Sequence, residues 1–280
     1  MSWRTFGGIM AILSISSEFG TGALEIGREL RNYFGYEYIG IGRLLREAKE
    51  AAKQMNLFVA KGRQESIDSW GGNEFMSFMA MLHSVILEHA AKDNVILLTR
   101  GSNYLVKGIP HALGIRIVAP LDYRIERFMK KEGVNRETAR LLVKQADREI
   151  DCALHIAYGK GLDDPEAYEI KFDTGTQKQE EIVEIVKNLL ESKDALKTPE
   201  AQKLIQMRAL VARIKAKVVI NPGFYSTTLE MEIKGDGILL RGVVSGKAEQ
   251  KEIEKEAREI ARSVPLICDL DCQSTRKKKS

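Results

Sequence analysis

The spacing of apolar and polar positions changes several times along the chain, and each change predicts an element. Ala11-Ile12-Leu13-Ser14-Ile15 reads as a short buried strand. Ser16 to Gly22 is a small, polar, Gly-bearing loop. From Ala23 the period becomes helical, with Ile26, Leu30 and Tyr33/Phe34 on one face and Gly35 as a stop. Tyr36–Ile41 reads as a second strand or extended loop, Arg43–Met55 as a charged helix, and Leu57–Asn73 as irregular. Phe75–Ala91 is a strong helix with Met76, Met79, Leu82, Val85 and Ile86 on its apolar side. Strands follow at Val95–Leu98, Ile115–Ala119 and Tyr168–Phe172, separated by helices at Asp122–Lys131 and Arg136–Gly159 and followed by one at Thr174–Leu190. Alternating strands and helices predict an α/β fold, a parallel sheet flanked by helices.

The pattern then shifts. Glu191–Lys203 is polar and holds Pro199, which places a boundary there. Leu204, Met207, Val211, Ile214 and Val218 follow at helical spacing. Residues 227–234 alternate strictly, Gly235-Asp236-Gly237 signals a hairpin, and Ile238–Val244 returns as its partner. Ile253, Ala257, Ile260, Ala261 and Val264 mark a second amphipathic helix, and Leu266–Asp271 a last strand. The second domain is therefore a small α+β unit of order α-β-β-α-β. The expected organisation is 1–191, a linker at 192–203, 204–272, and a basic tail at 273–280.

A content of 44% hydrophobic and 29% charged residues is globular and excludes wholesale disorder. The 43 Lys and Arg against 39 Asp and Glu suit a protein that handles phosphates but give no strong nucleic-acid signal. No apolar run is long enough for a transmembrane segment, no signal peptide is read, and three cysteines fit a reducing compartment, so the expectation is cytoplasmic. Met10 is a candidate start besides Met1.

Ser17-Glu18-Phe19-Gly20-Thr21-Gly22 joins the first strand to the first helix, where backbone N–H groups and the helix N-terminus can cradle an anion. Against G-x-x-x-x-G-K-[ST], Ala23 stands for the Lys and Leu24 for the Ser/Thr. Alone, the loop reads equally as a tight strand-to-helix turn.

Residues 15–27, Ile-Ser-Ser-Glu-Phe-Gly-Thr-Gly-Ala-Leu-Glu-Ile-Gly, resemble the I-S-R-E-F-G-S-G-G-R-E-I-A/G opening of the cytidylate kinase-like family of P-loop proteins. That family lacks the P-loop Lys. Residues 38–46 resemble its Y-L-D-T-G-x-M-Y-R segment at the monophosphate site. Thr99-Arg100-Gly101 stands where the family has G-R-G or G-R-D. Val118–Arg127 resembles I-V-A-P-x-x-x-R-I-x-R, and Asp163–Thr174 its D-P-x-x-Y…T segment. The resemblance covers about residues 11–190. It implies a nucleotide-kinase-like fold and phosphoryl transfer from ATP with Mg²⁺ to a nucleoside monophosphate or related small acceptor. Ser17, Gly20, Thr21, Gly22, Arg124 and Arg127 would bind the cofactor. Gly42, Arg46 and Arg100 would bind the substrate. Arg100, Arg140, Lys144 and Arg148 would act in catalysis, and no residue is assigned as a metal ligand.

The departures weigh against activity. Ser17 and Leu24 replace arginines, Ala23 and Thr99 replace glycines, and Gly40 replaces an Asp. They leave a second class of function open, a catalytically inactive nucleotide-binding or sensor protein.

Arg136, Arg140, Lys144 and Arg148 recur every four residues and form one basic helical stripe, as on a mobile kinase lid or a solvated helix face. Asp147 reads as a partner of Arg148 or an aid to Mg²⁺, and Glu18 as a holder of Mg²⁺ through water or, in preference, an exposed loop acid. Cys152, Cys268, Cys272 and His155 lack the spacing of a zinc site. Residues 204–272 resemble a BON domain through Leu229–Ile233, the Gly235–Gly237 turn, Leu239–Val244 and the helix to Val264, departing at Val264-Pro265-Leu266. That resemblance implies a protein or phospholipid partner.

Overall fold

The structure is a computed structural model that describes residues 10–54, 72–99, 101–221, 224 and 229–272. The chain forms two compact units, each assembled from two stretches of sequence. One comprises residues 1–44 with 89–205, the other 45–88 with 206–280. The units therefore do not follow the sequential division expected from composition.

The first unit holds a five-stranded sheet in the order β2-β3-β1-β4-β5. Its strands are β1 (Ile12–Ser17), β2 (Glu37–Gly40), β3 (Val95–Leu98), β4 (Ala112–Val118) and β5 (Ile170–Asp173), and every pairing is parallel. Helices α1 (Ala23–Phe34) and α7 (Gln179–Asp194) cover one face. There Ile26, Leu30, Ile182 and Val186 pack on Leu13, Ile15, Ile115 and Phe172 in a continuous apolar core. The opposite face differs. Ser14 and Ser16 on β1 lie in register with Gly114 and Arg116 on β4, and Ser14, Ser16 and Arg116 are all buried. Buried polar groups need partners. The Ser14 hydroxyl meets that of Ser102 at 2.7 Å, and the Tyr168 hydroxyl donates to Ser16 Oγ at 3.1 Å.

Three elements differ from the pattern-based expectation. β4 starts at Ala112, three residues early, because its first turn pairs with Ile12 and Leu13. A short helix, α4 (Ser102–Val106), follows Gly101. The helix expected from Thr174 starts at Gln179. Asp173 explains this, since its Oδ1 accepts from Gly175 N–H at 2.8 Å and its carbonyl accepts from the amides of Thr176 and Gln177, closing a turn.

Helices α5 (Leu121–Glu132) and α6 (Arg136–Tyr158) complete the first unit. Asn135 caps α6 by accepting from Thr138 N–H at 2.9 Å. Helix α2 (Ile41–Gln54) begins in the first unit and continues into the second, and α3 (Gly72–Ala90) lies almost wholly in the second. The stretch expected to be irregular at 57–73 lies almost entirely outside the described residues. Pro199, expected in a linker, is the first residue of α8 (Pro199–Ile220), a position where proline's missing N–H has no helical partner to lose. The Thr198 hydroxyl accepts from Ala201 N–H there.

In the second unit, β6 (Glu230–Lys234), β7 (Gly237–Val244) and β8 (Leu266–Cys272) form a small mixed sheet. β6 and β7 pair as an antiparallel hairpin, while β7 and β8 are parallel across helix α9 (Lys247–Ala261). Leu229, Ile238, Leu240, Val244, Ile253, Ala257, Leu266 and residues of α8 share one core. The expected α-β-β-α-β order is thus present. On α3, Met79, Leu82, Val85 and Ile86 are buried as expected, whereas Met76 is exposed. Among the described residues no helix is long and apolar enough to cross a membrane.

Burial, with a smaller contribution from the charge of Lys215 on α8, pushes the pKa of His83, on α3, down from 6.5 to about 4. Above pH 6.5 the imidazole is neutral in both folded and unfolded chains. Below that value the unfolded chain takes up the proton first, so stability falls as pH drops toward 4. The expected loss between pH 7 and pH 4.5 is about 2 kcal/mol from this group. Urea midpoints at the two pH values check it, and His83→Gln should reduce the difference.

Candidate active site

The carboxyl ends of β1, β3 and β4 meet where the sheet order leaves β1 between strands reached in opposite directions, the usual ligand crevice of open α/β sheets. The loop after β1 occupies this edge. Gly20 has φ +85° and Gly22, the residue before α1, has φ +91°. Both values lie in the left-handed region that glycine tolerates. Space adds a second restriction, because a Cβ at Gly22 would stand 3.1 Å from the Arg127 guanidinium. The loop therefore presents backbone at the start of α1, the geometry that binds anions. Thr21 is buried. Its hydroxyl donates to the Glu18 carbonyl at 3.2 Å, and its own carbonyl accepts from the Thr174 hydroxyl at 2.7 Å.

An ion cluster holds this loop. The buried Arg124 guanidinium donates through Nε to the Ala119 carbonyl at 3.0 Å. Its Nη1 donates to the Phe19 carbonyl at 3.1 Å and to Asp147 Oδ2 at 2.6 Å. Its Nε also lies 3.4 Å from Glu18 Oε2. Phe19 N–H donates to Asp147 Oδ1 at 3.0 Å, and Ala119 N–H to Glu18 Oε2 at 3.2 Å. Glu18 is thus not an exposed loop acid, because its carboxylate is folded back beneath the loop. Asp147 pairs with Arg124, not with the adjacent Arg148. Arg124, expected to bind cofactor, has its hydrogen bonds committed to the loop and to two acids.

Arg127 pairs with Glu25 at 2.9 Å and forms one wall of a cleft of about 360 Å³. Thr21, Gly22, Tyr123 and the stretch from Thr174 to Glu180 form the rest of its lining. The turn in this stretch exists because the helix starts late. Its Gly175 has no room for a side chain, since a Cβ would stand 2.4 Å from Pro120 Cδ.

The predicted stripe on α6 divides. Arg136 is tied to Asp122 at 2.6 Å and Glu126 at 3.5 Å. No acidic partner for Arg140, Lys144 or Arg148 is found among the described residues; Arg140 and Arg148 are exposed and Lys144 is half-buried. Lys144 precedes Asp147 by one helical turn, so the Asp147 link to the loop sets these cations on the helix that touches it.

On the acceptor side, Arg100 lies outside the described residues. Its neighbour Gly101 has φ +93° and starts α4. A Cβ there would stand 2.5 Å from Cε2 of Tyr158, whose ring stacks on Tyr104 at 4.7 Å. Burial raises the Tyr158 phenol pKa well above its ordinary value. Gly42 is exposed on the first turn of α2. Arg46, also exposed, lies one turn further along in the second unit. The structure brings Ser17, Gly20, Thr21, Gly22, Arg124 and Arg127 together around one loop. Asp147 and Arg116 join them, although neither was assigned to the loop from sequence. Arg116 carried a signal, as a charged residue between Ile115 and Ile117 whose alternation points it to the opposite face of a buried strand. Among the described residues, no group of three His, Cys, Asp or Glu side chains is placed to hold a metal.

Four similarities place the chain among known proteins. The model of the cytidylate kinase-like family matches residues 12–176. A cytidylate kinase of Methanosarcina acetivorans is 28% identical over 192 residues, covering 67% of this chain and 99% of that protein. One from Pyrococcus abyssi is 27% identical over 186 residues, covering 63% and 91%. A crystal structure of an uncharacterized protein from Eubacterium ventriosum aligns with TM-score 0.53 at 18% identity, covering 65% of this chain and 99% of that one, a likeness of fold. The family model leaves residues 177–280 outside its match.

Replacing Asp147 by Ala leaves the buried Arg124 without its shortest ion pair and frees the Phe19 amide. The expected loss is about 2–3 kcal/mol in denaturant unfolding. Arg148→Ala, at an exposed and unpaired position, should stay within roughly 0.5 kcal/mol.

Proposed function

We propose that this chain, which belongs to the cytidylate kinase-like family, transfers a phosphoryl group from ATP to a nucleoside monophosphate. The observation that carries the reading is the glycine-shaped loop at the start of α1. It lies beside a cleft, with cations that have no acidic partner among the described residues on the helix that touches the loop. ATP fits the residues present, because the absence of a Cβ at Gly22 lets the Arg127 guanidinium lie against the loop and sets a cation beside its amides. The loop amides around Gly20, Thr21 and Gly22 would hold the phosphates, and Arg127 with the Thr174–Gln179 turn would flank the base. Magnesium keeps several waters and takes few protein ligands, so it would be held mainly by phosphate oxygens, with the Thr21 hydroxyl as the loop's own oxygen donor. ATP with Mg²⁺ supplies the phosphoryl group and part of the charge neutralisation.

The chain's own residues would supply alignment and charge. Such a transfer needs positioning and cations around the moving group more than covalent chemistry. Arg140, Lys144 and Arg148 would provide those cations. Arg124 is better read as the anchor of the loop than as a phosphate ligand, since its Nε and Nη1 already donate to protein acceptors. Gly42, Arg46 and Arg100 remain our candidates for the acceptor phosphate. A pyrimidine monophosphate is the first acceptor to try, because the named relatives are cytidylate kinases. We place the reaction in the cytoplasm. For residues 204–272 we retain the BON-like reading, with a protein or phospholipid partner. Its support is the α-β-β-α-β order and the shared core.

Thermal shifts with Mg·ATP, and then with CMP, dCMP and UMP added, should show stabilisation that grows with one monophosphate. Phosphoryl transfer to that acceptor should fall on the order of 10²-fold or more in kcat for Lys144→Ala or Arg148→Ala, with little change in acceptor affinity. Arg100→Ala should instead weaken acceptor binding. ATP binding without transfer to any acceptor would identify a catalytically silent nucleotide sensor. No response to any nucleotide would reject the reading altogether.

A further inference from the structure

Arg116 is the buried cation that none of these roles uses. It lies on β4 opposite Ser16, on the polar face of the sheet, with its side chain 3% exposed. Its Nη2 is 3.9 Å from Glu18 Oε1 and 3.4 Å from Asp163 Oδ1. The guanidinium stands over the Tyr168 ring, 5.7 Å from the centroid. Its Nη1 is buried and has no hydrogen-bond partner among the described residues. Burial raises the pKa of the Tyr168 phenol, which keeps its proton as the donor to Ser16. A buried guanidinium ordinarily has its donors satisfied and its charge paired at close range. Here one nitrogen is orphaned, one acid is distant, and the other acid, Asp163, has an 88% exposed side chain that solvent screens.

Charge balance shows what this cation is for. Glu18 must stay beneath the loop, because its carboxylate receives the Ala119 amide and lies against Arg124. An incoming phosphate therefore meets a negative charge at the base of its own cradle. Arg124 cannot offset it alone, since its charge is shared with Asp147 at 2.6 Å. We propose that Arg116 is a positioning residue for the phosphate loop, acting through Glu18. It holds that carboxylate down and cancels its charge, so the loop amides face a phosphate without repulsion. The proposal rests on the reading of this loop as a phosphate site.

The test uses the full-length protein and calorimetric binding of Mg·ATP and of inorganic pyrophosphate. Arg116→Met should weaken both by roughly tenfold or more, and Arg116→Lys by less. Adding Glu18→Gln to Arg116→Met removes the uncompensated charge and should restore affinity to within about threefold of wild type, the signature of a coupled pair. Unchanged affinity in Arg116→Met, or a loss that Glu18→Gln does not reverse, overturns the proposal. If Arg116→Met does not fold, Glu18→Gln alone decides. Equal or tighter pyrophosphate binding supports the proposal, and binding more than about threefold weaker overturns it.

Amide hydrogen exchange without ligand separates this from failure of the phosphate-site reading. In Arg116→Met the Ala119 amide, held by Glu18, should exchange roughly tenfold faster, while the Phe19 amide, held by Asp147, should not change. If wild type binds neither ATP nor pyrophosphate, the reading of the loop fails. The Arg116–Glu18 link then stands or falls on that exchange result alone.

Discussion

A guanidinium withdrawn from water must find both its countercharge and its hydrogen bonds inside the protein. Arg124 finds them on three other segments at once. Ala119 is at the end of β4, Phe19 and Glu18 are in the loop after β1, Asp147 is midway along α6, and the arginine itself stands in the first turn of α5. The loop's shape follows from this arrangement. Phe19 is held through both its carbonyl and its N–H, which leaves the glycines on either side of Thr21 to make the turn into α1.

The same arrangement solves a problem left by the missing P-loop lysine. A loop that lacks its own cation can still keep an anion-binding form if an ion cluster behind it is neutral in sum. Arg116 and Arg124 set against Glu18 and Asp147 give that balance. On the proposed reading, the charge of a bound triphosphate would be met from outside the cluster, by the cations on α6. Scaffold and catalytic charge would then be divided between two sets of residues that meet at Asp147. One helix both braces the loop and carries the charges that would act over it.

Much of the first unit was legible because its signals are local. The apolar run before Ser16, the helical period from Ala23 and the strand at Val95–Leu98 declare themselves within a few residues, and each is where the pattern put it. The site was only half legible. Gly20 and Gly22 announce a tight turn, but Glu18, Arg124 and Asp147 meet only through the parallel register of β1 and β4 and the packing of α5 against α6. No local period encodes those distances, so Glu18 read as a surface acid and Arg124 as a ligand. The late start of α7 was hidden for another reason, since Asp173 competes for backbone amides that helical propensity alone would have assigned to the helix.

The second unit was the least legible, because residues 45–88 and 206–280 join in one body across a long stretch that belongs elsewhere. Chain order then matters during synthesis. Helix α3 leaves the ribosome well before α8 and α9 exist, and at roughly 5–20 residues per second the wait is on the order of ten seconds. Through that interval Leu82, Val85 and Ile86, buried in the finished protein, belong to a unit whose later stretch, residues 206–280, has not yet been made.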